Sequence, residues 1–164
     1  MGNKKGFTLV EILITITLMG ALLAIAGLNF NTWQKKSNID GQVKEMLADF
    51  AEARMTAIHR KSNVMIALDS NQYVFRIYTT NEVVGRSTGR SIFTKTLKYP
   101  ILKSGDIGLN GRGFTEDFVV GGGFVSNQTI SVPSSGVNPA VDCLVVSTTR
   151  VNIGRMNGIN CEYK

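Results

Sequence analysis

The sequence predicts an α+β chain in which one long N-terminal helix is followed by an antiparallel β head. Three observations carry this reading. Residues Ile12 to Leu28 form a run of seventeen without a charge, in which only Thr15 and Thr17 bear side-chain hydrogen-bonding groups. A 3.6-residue apolar period continues beyond that run to about Arg60, and no proline occurs before Pro100 to break it. From Ser62 onward the period changes to two. The 164 residues suit one domain with an appendage. Charged residues make up 18%, fewer than the roughly 25% of an ordinary soluble domain, and the deficit is concentrated in the N-terminal run. That distribution excludes both a disordered chain and a multi-span membrane protein.

The elements follow in order. Met1 to Gly6 is short and basic and has no apolar region of its own, unlike a secretory signal peptide. The apolar run from Phe7 to Leu28 has 22 residues, about 33 Å of helix at roughly 1.5 Å per residue, enough for a bilayer core of about 30 Å. Lys4 and Lys5 precede it, so the positive-inside rule puts that end in the cytoplasm and the rest of the chain outside the membrane. Glu11 breaks the run near its start. A carboxylate at that depth costs roughly 2.5 to 3.5 kcal/mol, so it requires a partner or a route to the membrane face. Two readings stand: snorkelling one turn past Phe7, or pairing with a positive charge on another chain.

Past the membrane the helix turns amphipathic. Ile39, Val43, Met46, Leu47, Phe50, Ala51, Ala57 and Ile58 follow helical spacing, with Asp40, Lys44, Glu45, Asp49 and Glu52 on the other face. Residues 7–60 then make one helix of roughly 80 Å. A β-hairpin follows, with strands at Val64–Leu68 and Tyr73–Tyr78 around Asp69-Ser70-Asn71. Further strands are expected at Ser91–Leu97, Phe118–Val120, Gln128–Val132, Leu144–Thr148 and Arg150–Ile153. Gly105 to Gly123 holds seven glycines and reads as loop and packing turns, since its spacing lacks the strand–helix context of a dinucleotide site.

The segment Lys4-Lys5-Gly6-Phe7-Thr8-Leu9-Val10-Glu11 resembles the processing site of type IV prepilins and of the pseudopilins of type II secretion: a basic leader ending in Gly, then Phe, with Glu fifth in the mature chain. The segment from Ala51 to Val64 resembles the helix-end pattern A-R-x-x-A-I-x-R of the GspH/FimT group. Ile130-Ser131-Val132, Gly136 and residues 145–155 are similar to that group's last strands. The resemblance implies a pilin fold, one long helix with a membrane-spanning first half packed on an antiparallel head. It divides the chain into a leader (1–6), a membrane and filament-core helix (7–28), an amphipathic continuation (29–61) and a periplasmic head (62–164). It also implies cleavage between Gly6 and Phe7 by a prepilin peptidase, N-methylation of Phe7, and pairing of Glu11 with the N-terminal amine of a neighbouring subunit. The implied place is the inner membrane as a single-pass protein, at or within a pilus or pseudopilus, with other pilin or pseudopilin subunits as partners. Major type IV pilins often carry a proline near Leu28; its absence leans toward a minor pilin or pseudopilin that initiates or caps assembly.

The remaining chemistry is sparse. Two cysteines, Cys143 and Cys161, fall in an oxidising compartment under this topology, where a bond would close a loop of about 18 residues and contribute roughly 3 kcal/mol. The alternative is two buried free thiols. His59 is the single histidine and no nucleophile pattern points to it. Asp69, Asp106, Glu116 and Asp117 do not meet the spacing of a calcium loop. No catalytic residue, cofactor or metal site is expected. The net charge is +6, from 18 Lys and Arg against 12 Asp and Glu. Arg86, Arg90, Lys95, Lys98, Lys103 and Arg112 crowd the stretch from Val83 to Arg112 against the single acid Asp106, interleaved with Phe93 and Tyr99 and followed by Phe114. The stretch reads first as a solvated charged face with core aromatics at strand spacing, and second as an arrangement able to attract and stack nucleic acid. Some FimT-like proteins bind DNA through a C-terminal Gly-Arg-x-Arg. Here Gly154-Arg155-Met156-Asn157 lacks the second Arg, leaving Arg155 and Arg150 as possible DNA contacts. A structural subunit and a DNA receptor are therefore the two functional readings.

Overall fold

A computed structural model describes residues 6–79, 85–103, 105–116 and 128–163, with the side chains of residues 25–29 outside that description. The leader residues before Gly6, the strand expected at Phe118–Val120 and Asp117 lie outside the described residues. The described chain comprises α1 (Leu9–Arg60), β1 (Val64–Asp69), β2 (Gln72–Ile77), β3 (Arg90–Thr96), β4 (Leu102–Lys103), β5 (Ile107–Leu109), β6 (Gln128–Ser131), β7 (Cys143–Val146), β8 (Val151–Asn157) and β9 (Asn160–Tyr163). It divides into two compact units, Met1–Lys35 and Lys36–Lys164.

In the first unit the helix from Leu9 to Leu23 is apolar apart from Glu11, Thr15 and Thr17, and its large apolar residues are exposed, from Leu9 and Val10 through Ile16, Leu18 and Leu23. Thr15 donates its hydroxyl to the Ile12 carbonyl at 2.8 Å and Thr17 to the Ile14 carbonyl at 2.8 Å. These bonds satisfy both hydroxyls within the helix, as an apolar surrounding requires. Among the described residues no helix is long and apolar enough to cross a membrane. The span expected from the sequence continues through residues 25–28, whose side chains lie outside the described set.

In the second unit, α1 contributes a stripe of Ile39, Val43, Met46, Phe50, Ala53 and Ala57, each at most 1% exposed. Full burial of a large apolar side chain is worth on the order of 2 kcal/mol, so this stripe is a principal source of the unit's stability. The expected phase holds, with two exceptions: Ala51 and Ile58 are exposed and Ala53 is buried instead. Gln42 adds a polar tie: its side-chain amide donates to the Tyr99 carbonyl at 2.8 Å and accepts from the Tyr99 N–H at 2.9 Å.

The head contains two antiparallel sheets, ordered β3-β2-β1-β5 and β4-β6-β7-β8-β9. Both contribute to the core against the helix stripe, the first through Val64, Ile66, Leu68, Tyr73 and Phe75, the second through Ile130, Leu144 and Val146. The hairpin forms as the sequence predicts, with Asp69 paired to Gln72 beside the turn. The glycine stretch is not all loop, because β5 forms within it and pairs with β1. Glycines at 111 and 113 do serve as packing turns: a Cβ on Gly111 would lie 2.7 Å from the Lys61 carbonyl carbon, and one on Gly113 2.7 Å from Ile58 Cδ1. The edge strand β3 skips one residue, Ile92, in its pairing between Phe75 and Arg76. Such a bulge disfavours further strand addition at that edge.

Candidate processing and assembly site

The N-terminal segment is built for access. Gly6, Phe7 and Thr8 precede the helix without regular structure. A Cβ placed on Gly6 would meet nothing within 4 Å, and Phe7 is 80% exposed. The bond between Gly6 and Phe7 therefore lies in open chain without regular structure, next to an ordered helix. Thr8 sets where the helix begins: its hydroxyl accepts the Glu11 N–H at 3.3 Å, and its carbonyl accepts the Ile12 N–H at 3.3 Å. That is the arrangement of an N-cap. Glu11 falls in the first turn, where a carboxylate is favoured by the helix dipole. It is exposed, and among the described residues no ion pair involves it. The sequence pattern points to Gly6, Phe7 and Glu11; the capping role of Thr8 is legible in its residue type three positions before Glu11.

Much of the basic stretch is tied into the head itself. Arg86 grips the head's own backbone and acids. Its guanidinium donates to Asp69 at 3.0 Å and to both carboxylate oxygens of Asp106, one of them at 2.7 Å, and also to the Leu68 carbonyl. Asp106 is only 5% exposed and further accepts the Leu68 N–H at 2.9 Å. The hydrogen bond from Arg86 holds the Asp69 carboxyl below its ordinary pKa, and the bonds to Asp106 hold the guanidinium above its own. Lys103 lies 3.7 Å from Asp106, and Lys95 pairs with Glu45 on the helix. Lys98 stands 5.9 Å over the Tyr99 ring. Phe93 is in ring contact with Phe75 and Tyr73, with centroids 5.2 and 6.3 Å apart. Tyr99 packs on the core. Arg90, Arg112 and Phe114 remain exposed. The stretch is therefore a set of internal ties with a few cations at its margin.

The C-terminal candidates are arranged around a fold of the sheet. Cys143 and Cys161 are bonded, with Cα atoms 6.0 Å apart. They belong to β7 and β9, on either side of β8, which in a flat sheet would be about 9.6 Å apart at roughly 4.8 Å per strand. The sheet therefore curls sharply at β8. Gly154 occupies the crease, because a Cβ there would come within 2.2 Å of the Glu162 carbonyl oxygen. The glycine of the Gly-Arg pair is thus a packing residue. Arg155 is exposed and pairs in register with Glu162, and the Asn157 amide donates to the Glu162 carboxylate at 2.7 Å. An acid consequently stands beside both positions that a Gly-Arg-x-Arg motif would make basic. Arg150 is exposed at the β7–β8 turn.

Arg54, part of the helix-end pattern, also has a structural role. It donates to the carbonyls of Thr149 and Ser147 and to Thr115 Oγ1, fixing the β7–β8 turn to the helix. Burial pulls its pKa down from the ordinary arginine value. The helix closes at Lys61, in the left-handed region at φ 49°, with the Ser62 N–H bonding the Ala57 carbonyl at 3.2 Å. His59 is exposed in the last turn.

Residues 1–27 match a family model described as the prokaryotic N-terminal methylation motif. No curated protein and no solved structure matches the chain.

Proposed function

From the type IV prepilin-like precursor that this match supports, we propose a minor pilin or pseudopilin of the GspH/FimT group. Prepilin peptidase cuts between Gly6 and Phe7 and methylates the new Phe7 amine. The mature subunit stays in the inner membrane as a single-pass protein with its head in the periplasm, and helps initiate or cap a type IV pilus or type II secretion pseudopilus. Its partners are other pilin or pseudopilin subunits. Its role is structural rather than enzymatic.

The observation that carries this reading is the N-terminal arrangement itself. An open Gly6–Phe7 bond, a capped helix start at Thr8 and an exposed Glu11 one turn in stand at the head of a helix whose large apolar residues from Leu9 to Leu23 are exposed among the described residues. Such a surface requires lipid or neighbouring helices. Glu11 gives that association a register, because a carboxylate in apolar surroundings is relieved by a cationic amine on the next subunit. Glu11→Ala removes this pairing without touching the head. The variant is expected to be processed and inserted normally, and to lose most co-purification with the other minor subunits. Unchanged recovery would mean that Glu11 snorkels and carries no assembly role.

The second reading, a DNA receptor, draws on Arg155, Arg150, Arg90 and Arg112, which are exposed. The internal use of Arg86, Lys95 and Lys103 and the acid at Glu162 weigh against it.

A further inference from the structure

The helix of the first unit carries one aromatic cluster that processing and subunit pairing leave unused. Phe30 and Trp33 are one turn apart on the same side of the helix, with ring centroids 6.0 Å apart and planes at 37°. They are 54% and 63% exposed. Hydropathy changes at the same level: Asn29, Asn31, Thr32 and Gln34 interleave with the two rings, and Lys35 and Lys36 follow. The rise from Leu9 to Trp33 is about 36 Å at roughly 1.5 Å per residue, between the hydrocarbon thickness of about 30 Å and the full bilayer of about 40 to 45 Å. With Leu9 near one face, Trp33 therefore reaches the headgroup level of the other.

We infer that Phe30 and Trp33 form an interfacial anchor, seating the unassembled subunit at the periplasmic headgroup layer of the membrane. The inference rests on the membrane-anchored reading above. An indole suits that layer because its ring is apolar while its N–H finds acceptors among ester, phosphate and water oxygens. Phe30 supplies an apolar neighbour on the hydrocarbon side. The anchor fixes the depth of the helix, and with it the distance of Glu11 from the opposite face. It thus prepares Glu11 for the amine of an incoming neighbour.

Trp33 is the only tryptophan of the chain, so its fluorescence reports this site alone. The full-length protein is reconstituted, dilute, into vesicles of phosphatidylcholine and phosphatidylglycerol, and recovered by flotation. Emission is then compared in vesicles whose acyl chains carry bromine near the carbonyl or near the methyl end, with acrylamide as the aqueous quencher. The anchor predicts that shallow bromine quenches more strongly than deep bromine, by about twofold or more for a residue at the interface. Deep bromine quenching more strongly would place Trp33 in hydrocarbon and overturn the anchor. Quenching by acrylamide alone would place it in water, and shielding from all three quenchers would mean that another copy covers it; either overturns the anchor while leaving the membrane span intact. Failure of the protein to float with vesicles would overturn the membrane-anchored reading itself.

Discussion

Replacing Arg86 with Met separates a structural arginine from a nucleic-acid contact. Asp106 is 5% exposed, and in the wild-type protein Arg86 donates to both of its oxygens while also bonding Asp69 and the Leu68 carbonyl. Arg86→Met leaves that carboxylate with the Leu68 N–H and with Lys103 at 3.7 Å. Breaking a fully buried pair costs about 3 to 5 kcal/mol; Arg86 is itself 48% exposed, which puts the expected loss nearer 2 to 3 kcal/mol. At about 4 °C per kcal/mol for a unit of this size, the melting temperature should fall by about 8 to 12 °C. Thermal unfolding of the full-length chain in detergent, followed by near-ultraviolet circular dichroism of the buried Tyr73 and Tyr78, measures this. Faster amide exchange at Leu68 should accompany it. The pH dependence has a definite sign. The Asp69 carboxyl is held below its ordinary pKa by Arg86, so the stability it contributes is present above the unfolded value of about 3.9 and is lost as pH falls through the lower folded value. The gap between wild type and variant should therefore narrow as pH drops below about 4. An unchanged melting temperature at neutral pH would refute the assignment of Arg86 as an internal tie.

Two further outcomes follow from the C-terminal region. Gly154→Ala pushes a Cβ to within 2.2 Å of the Glu162 carbonyl oxygen, so β9 must shift or detach; a loss of about 2 to 3 kcal/mol in chemical denaturation is expected, and an unperturbed midpoint would mean that the crease is not rigid. DNA binding by the head should be weak, indifferent to sequence and steeply reduced by salt in a mobility-shift series. Asn157→Arg combined with Glu162→Gln should strengthen it more than Asn157→Arg alone, because the acid beside that position is removed. Tight binding at physiological salt that Arg155→Gln abolishes would favour the receptor reading.

What the sequence disclosed divides along physical lines. The helix was legible because one period runs through Ile39, Val43, Met46 and Phe50 without a proline, and the hairpin because Ser70 and Asn71 separate two apolar runs of strand length. The choice of Ala53 over Ala51 on the buried face was not, since two alanines carry no contrast in hydropathy. β5 escaped notice because it has three residues with Gly108 at its centre, and β9 because its edge position leaves Asn160, Glu162 and Tyr163 exposed and polar. The division into two sheets depends on non-local pairing that no local pattern encodes. The processing motif, by contrast, is local and contiguous, so Gly6, Phe7 and Glu11 could be picked out directly. The basic stretch shows the opposite case. Its charges are local, but the acids that engage them, Glu45, Asp69 and Asp106, come from three different elements or loops.

A prepilin-like precursor as proposed above is cut between Gly6 and Phe7. Intact mass and N-terminal fragment analysis of the protein isolated from the cell envelope tests it directly, alongside a Gly6→Val variant. A mature chain beginning with N-methylated Phe7 is expected, and an uncut chain for Gly6→Val, because the peptidase must accommodate a residue without a Cβ before the cut. A wild-type chain retaining residues 1–6, or a Gly6→Val chain still trimmed and methylated at Phe7, would contradict it.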